Sequence, residues 1–384
     1  MSEKLLLMTP GPTEVDPRVI KAMIRPSIYH YDQEFISLYD ETEDLLRMVF
    51  QTENDIIMLP GSGRTGIESA ALSFVDRNER VLAITTGTFG NWFIEILKVH
   101  GADVVQLSFP KGGRINMDEV KRVLEEDKKI TAIAMVHNET STAAIYSKDV
   151  EELGEMSKKF DKIFMVDTIS SMGGANVPVD KWNIDVCITG AQKALGGLPG
   201  VSIVSVSQRA WEKVLKRGVI KSFTLDLLRW KLMWVKKERG GLLVRGRRSF
   251  PVIPPTHLIL VLNEALKIIL DEGLENRFRK HAEAAEEMRL LGKEIGLELF
   301  PEEELASPTV TAFKVPEGFT GKQIRQIMRE DYSILVAGGM DELSEKIIRV
   351  GHMGYTANKD FVRRTAIALE GTLYKLGFRK SSPI

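Results

Sequence analysis

The chain has 384 residues, 43% hydrophobic and 27% charged, and its 52 basic and 53 acidic side chains leave a formal net charge of -1. That length holds about two domains and a core that needs no disulfide or structural metal, and the even charge excludes a general affinity for nucleic acid or anionic lipid. A lone cysteine, Cys187, excludes an internal disulfide and suits a reducing compartment.

In chain order, Met1–Met8 carries too few apolar residues for a signal-peptide core. Residues 1–16, with Pro10 and Pro12 inside and Pro17 beyond, are too rich in proline for a regular element and read as an arm laid over the rest. An apolar strand Ile56–Leu59 leads through Gly61-Ser62-Gly63 into a helix from Thr65 to Phe74. Strands follow at Val81–Thr85, Val104–Leu107, Ile130–Val136, Ile163–Val166, Val186–Thr189 and Val201–Val206, with helices at Gly90–Val99, Met117–Leu124 and Val150–Phe160. The strands are continuously apolar rather than alternating, which predicts an α/β domain with a mainly parallel sheet covered by helices on both faces.

Beyond residue 255 the pattern changes. A helix Leu258–Leu270, a break at Gly273 and a second helix to Ile295 precede a strand Thr309–Val315 and a helix capped by Thr320. Strands near Ile334–Ala337 and at Ile347–Val350 and a helix Lys359–Leu376 complete a smaller α+β unit. The stretch His257–Leu270 is interrupted by Asn263, Glu264 and Lys267, far short of the roughly 20 apolar residues of a membrane span. The ending Lys380–Ile384 is not a peroxisomal signal. The expectation is a cytoplasmic protein with an arm (1–16), a large domain (17–272) and a small C-terminal domain (273–384), and with no membrane or nucleic-acid partner.

Gly61-Ser62-Gly63-Arg64-Thr65-Gly66 spells a glycine loop between strand and helix, where backbone amides and the helix dipole attract phosphate. A nicotinamide dinucleotide site would add a carboxylate at the end of the next strand, and that strand ends in Thr85-Thr86-Gly87. The loop therefore favours a phosphate cradle over an NAD-dependent dehydrogenase, which stays as the alternative enzyme. Asp167 follows the apolar Ile163-Phe164-Met165-Val166, and Lys193 follows the next strand 26 residues on, so both face the sheet edge of the glycine loop. A carboxylate, an amine and a phosphate cradle are what pyridoxal 5'-phosphate requires. The lysine forms an imine with its aldehyde, and the acid keeps the ring nitrogen protonated. Burial beside a cationic ring would lower the pKa of Lys193.

These segments, with Met8-Thr9-Pro10-Gly11-Pro12-Thr13, Gly173-Gly174, Gly190-Ala191-Gln192-Lys193-Ala194-Leu195, Phe223–Leu227 and Ile348–Gly354, resemble the class V aminotransferases, and within them the alanine–glyoxylate/serine–pyruvate aminotransferases. The resemblance spans essentially the whole chain. It implies a fold-type I, pyridoxal phosphate-dependent homodimer with active sites at the interface. The implied reaction is ping-pong transamination of alanine or serine with glyoxylate or pyruvate through the imine at Lys193. By the same resemblance, Asp167 would bind the ring nitrogen. Ser62 and the amides of Gly63 and Arg64 would hold the phosphate, helped by Gln192. Phe89 and Ile169 would face the two sides of the ring, and Thr140 or Ser141 would bond its hydroxyl. Arg349 would clamp the substrate carboxylate as a planar fork, with Pro10 and Gly11 lining the substrate side. Two hydroxyl residues that reach the neighbouring subunit's phosphate in many relatives align with Phe250 and Ile253 here; Thr256 is a candidate substitute. Without turnover, the same residues would describe a catalytically silent binding subunit.

The six histidines are scattered without metal-ligand spacing, so no metal is expected. Cys187 lies inside a strand and reads as buried and inert. Lys221–Arg239, with six basic and two acidic residues around Trp230 and Trp234, reads as a partly solvated helix near a dimer contact.

Overall fold

The structure, a computed structural model, describes residues 5–242 and 248–378. Met1–Lys4 and Lys380–Ile384, read above for targeting, lie outside the described residues.

A seven-stranded mixed sheet forms the larger core, in the spatial order Asp55–Pro60, Val201–Val206, Val186–Gly190, Ile163–Asp167, Ile130–Val136, Arg80–Thr85 and Asp103–Ser108. Only Val201–Val206 runs antiparallel to its neighbours. The central strands are buried nearly end to end, as their unbroken Val, Ile and Ala runs predict. At the edge, Asp103–Ser108 is only partly covered. The expected helices appear as Gly63–Phe74, Thr88–Val99, Met117–Glu126 and Ser147–Lys159. Two more, Gln33–Phe50 and Gln208–Arg217, join the large core.

The smaller unit is a three-stranded antiparallel sheet, Val310–Lys314, Ile347–Gly351 and Ala337–Gly338. The helices Leu274–Ile295, Gly321–Tyr332 and Lys359–Lys375 pack with it around a second apolar cluster. Gly273 ends the helix Thr256–Glu272 and starts the next one. Thr320 makes the expected N-cap, closed as a box with Gln323.

Two expectations need correction. The arm is not wholly irregular: Leu6–Leu7 lies before its first proline, keeps its amides, and pairs in parallel with Ile334–Leu335. The single strand expected near Ile334–Ala337 is two, because Ile334–Leu335 serves the arm and Ala337–Gly338 serves the small sheet. The stretch 221–239 is partly solvated as expected, with residues 237–239 and Phe223 exposed, around a short helix, Leu227–Met233, in which Trp230 is buried and Lys231 makes a buried ion pair with Asp55 at 2.6 Å.

Candidate active site

The sheet brings the glycine loop and the lysine to the same edge. Val201 pairs with Pro60, and the Gly61 amide donates to Gly200 O at 3.0 Å, so the turn carrying Lys193 lies beside the turn that opens the helix Gly63–Phe74. Asp167 ends the adjacent parallel strand, opposite Ile188. From these edges rises a cavity of about 530 Å³ lined by Ser62, Gly63, Arg64, Phe89, Thr140, Asp167, Ile169, Gln192 and Lys193, as well as Gly11. A second chamber of about 360 Å³ shares Gly11, Phe89, Thr140 and Lys193 with the first, and adds Pro10 and Arg349. Lys193 thus stands between two connected spaces. Among the residues expected to hold cofactor or substrate within one subunit, Ser141 is the one that lines neither: its hydroxyl is turned to Glu139 and accepts from the Thr88 amide at 3.0 Å. Thr140 faces the cavity, with its hydroxyl donating to Ser170 Oγ at 2.8 Å.

Burial pushes the amine of Lys193 down to about 8; the charge of Arg349 adds to this and Asp167 opposes it. Its Nζ donates to Pro10 O in the arm. Gly11 is required beneath it: at φ +115° a side chain is strained, and a Cβ there would lie 2.4 Å from Nζ. Burial raises the Asp167 carboxyl to about 7, although its Oδ1 accepts from the Ile169 amide at 2.7 Å.

At the far end of the larger cavity, Ser62 caps the helix without a side-chain bond. The amides of Gly63 and Arg64 donate to no acceptor among the described residues. The Arg64 guanidinium lies 4.1 Å above the Trp92 ring. Two buried cavity-lining amides, Gln192 and Asn138, each leave an oxygen unpartnered. The two backbone amides and the Arg64 guanidinium supply the donors an anion needs, whereas the orphaned oxygens of Gln192 and Asn138 are acceptors that ask for a donor.

In the second chamber Arg349, 7% exposed, donates from Nε to Gly338 O at 2.7 Å and from Nη1 to Thr140 O at 2.9 Å. No described residue accepts from its Nη2. Burial lowers its pKa to about 10, still a cation at neutral pH.

Phe250, Ile253 and Thr256 line neither chamber: Phe250 stacks on Trp234 at 3.8 Å, and Ile253 is exposed. The unsought residues are Trp92, Asn138, Ser170 and, behind the wall, Glu139. Trp92 had a signal, since it stands one helical turn after Phe89. The other three gain their places only through tertiary contacts. Cys187 is buried with its thiol pushed up to about 12. Among the described residues no cluster of acidic, histidine or cysteine side chains could hold a metal, and no helix is long and apolar enough to cross a membrane.

Residues 6–359 match the aminotransferase class-V family. The chain belongs to that family. It is an aminotransferase, from a family that uses pyridoxal phosphate, and its fold is fold-type I: a seven-stranded mixed sheet between helices with a C-terminal small domain. The chain is 39% identical to an uncharacterized aminotransferase of Methanocaldococcus jannaschii, over 98% of this chain and 94% of the relative. It is 33% identical to the soluble hydrogenase 42 kDa subunit of Anabaena cylindrica, over 98% and 95%. Among solved structures, it is similar to alanine–glyoxylate aminotransferase from Nostoc sp., with a TM-score of 0.91 and 34% identity, covering 97% of this chain and 96% of that one.

Proposed function

We propose that this class V aminotransferase transfers the amino group of a small amino acid, alanine or serine, to glyoxylate or pyruvate, using pyridoxal phosphate held by Lys193. The observation that carries this reading is the shared position of Lys193 between a donor-rich cavity with a carboxylate, Asp167, and a small chamber with a buried guanidinium, Arg349. The orphaned amides of Gly63 and Arg64 suit a phosphate; Asp167 suits a protonated ring nitrogen. When bound, the cofactor supplies the electron sink that makes the α-proton of an amino acid removable.

The protein's own groups do the rest. Asp167, fixed by the Ile169 amide, presents its second oxygen to a ring-nitrogen proton and holds that proton in place. Phe89 and Ile169 confine the ring, and Thr140 offers its hydroxyl at the rim. Arg349 takes the substrate carboxylate through Nη2, leaving the α-carbon toward Lys193. With a pKa near 8, Lys193 Nζ is neutral in a useful fraction at cytoplasmic pH and can take the α-proton and return it as general base and acid. The arm closes the chamber with Pro10 and Gly11, and with Leu7 and Ala337 it leaves a short apolar space. That favours a methyl or hydroxymethyl side chain over a second carboxylate. The Nostoc structure, named for alanine and glyoxylate, agrees with this choice.

The test is direct. Protein incubated with pyridoxal phosphate is expected to turn yellow and to bleach on addition of alanine, and borohydride should fix the cofactor's mass on Lys193. Lys193→Ala should lose transamination and the label together; retained turnover in that variant would end the reading. The hydrogenase-named relative points to a silent binding subunit as the second reading, which requires a protein that takes up cofactor yet does not bleach with any small donor.

A further inference from the structure

Glu139 is fully buried, and it lines neither chamber. Its carboxylate nevertheless gathers four donors. Oε2 accepts from the Gly90 amide at 2.9 Å, and Oε1 accepts from the Phe89 amide at 3.3 Å, from the Ser141 amide at 3.1 Å and from the Ser141 hydroxyl. The first two are first-turn amides of the helix Thr88–Val99, whose N-cap, Gly87, has no side chain to satisfy them. Glu139 therefore caps this helix from 50 residues away in sequence. A Cβ on Gly87 would lie 2.5 Å from Glu139 Cγ, so that glycine makes room for the carboxylate.

The two ends of this clamp serve different chambers. The helix start carries Phe89 and, one turn later, Trp92, the aromatic wall of the larger cavity. The adjoining residue Thr140 offers its side chain to both chambers and its carbonyl to Arg349 Nη1. Glu139 also faces Arg349 electrostatically, offsetting part of the cost of burying that cation. We propose that Glu139 is a positioning residue for transamination, one buried carboxylate that locks the aromatic wall over the cofactor to the peptide holding the substrate-carboxylate clamp.

This inference rests on the function proposed above, and it deepens it by linking cofactor and substrate binding through a group that touches neither. The isosteric Glu139→Gln removes the charge and sets an amide N–H against a backbone N–H. Hydrogen bonds to a charged acceptor are stronger than those to a neutral one, so weakening is expected at both ends. Purified Glu139→Gln should bind pyridoxal phosphate about tenfold more weakly. At saturating cofactor, its KM for alanine should rise about tenfold, and the visible circular dichroism of the bound cofactor should diminish as Phe89 shifts. Ser141→Ala, which deletes one donor, should move all three readouts the same way by roughly threefold, and it stands in if Glu139→Gln does not fold. A purely structural cap would lower the melting temperature and leave cofactor affinity, dichroism and KM at wild-type values; that result in a folded, loaded variant overturns the inference. A wild type that takes up no cofactor overturns the functional reading, and the inference with it.

Discussion

Asp167 carries a conflict between folding and chemistry. Its carboxylate sits on a buried strand end where burial raises its pKa from 3.8 to about 7. The folded state therefore binds a proton between these values that the unfolded chain has released, so the protein loses stability as pH rises from about 4 to about 7. Above pH 7 the cofactor-free protein keeps an ionised acid at a cost on the order of a few kcal/mol. Asp167→Asn retains the acceptor for the Ile169 amide and removes the charge. Cofactor-free Asp167→Asn should resist urea better than wild type at pH 8, and the advantage should vanish near pH 4. An advantage of equal size at both pH values would show that the charge is not its source. The same variant should lose transamination at every pH. At this scale the sequence was legible where chemistry sits at a strand end: Asp167 and Lys193 follow apolar runs and so announce their edge. Thr140 and Ser141 are adjacent hydroxyls that differ only in which way the turn points them. Glu139 was silent because its four donors come from two separate segments.

Among elements, the arm shows how a local rule can be right and incomplete. Proline does exclude regular structure from Pro10 to Pro12, but the five described residues before it, 5–9, are free to pair. Leu6–Leu7 hydrogen-bonds beside Ile334–Leu335, and Met8 O accepts from the Gly351 amide at 2.8 Å. These contacts deliver Pro10 O to Lys193. The sheet strands were legible because each is a continuous apolar run. The helix Gln33–Phe50 was not, since its buried Phe35, Tyr39, Leu46, Val49 and Phe50 are spaced among charges and form a stripe only once wound. Gly351 tests the arm's role: a Cβ there would lie 2.1 Å from Thr9 O, a backbone atom with no flexible end to yield. Gly351→Ala should displace the arm and expose it to limited proteolysis. It should cost at least tenfold in kcat/KM for alanine while cofactor affinity changes less than threefold, because the phosphate end of the site is untouched. Unchanged kinetics in Gly351→Ala would deny the arm a part in substrate binding.

For the molecule as a whole, the segment that follows the arm leaves large apolar side chains uncovered. Ile24 is 83% exposed, Ile253 68% and Tyr29 63%, values unusual for large apolar side chains. They share a neighbourhood, because Arg25 O, next to Ile24, lies 3.2 Å from His257 Nε2, in the turn of helix that follows Ile253. On the buried side of the same segment, Val19 and Ala22 pack against Leu260, Val261 and Ala265, so the segment is firmly seated with its apolar outer face uncovered. The class V resemblance leads us to propose a homodimer, and this face is where a second copy would bury that surface. A two-fold interface uses one patch twice, so a single substitution acts at two places. Burying an isoleucine is worth about 1.5–3 kcal/mol, and placing an aspartate there adds a desolvation cost. Ile24→Asp should weaken dimerisation at least a hundredfold, which sedimentation at micromolar concentration would read as a shift from dimer to monomer. If the active sites need the neighbouring subunit, transamination should fall in step with the dimer fraction and recover at high protein concentration. A wild type that sediments as a monomer while fully active would remove the partner from the mechanism and leave the two chambers of one chain sufficient.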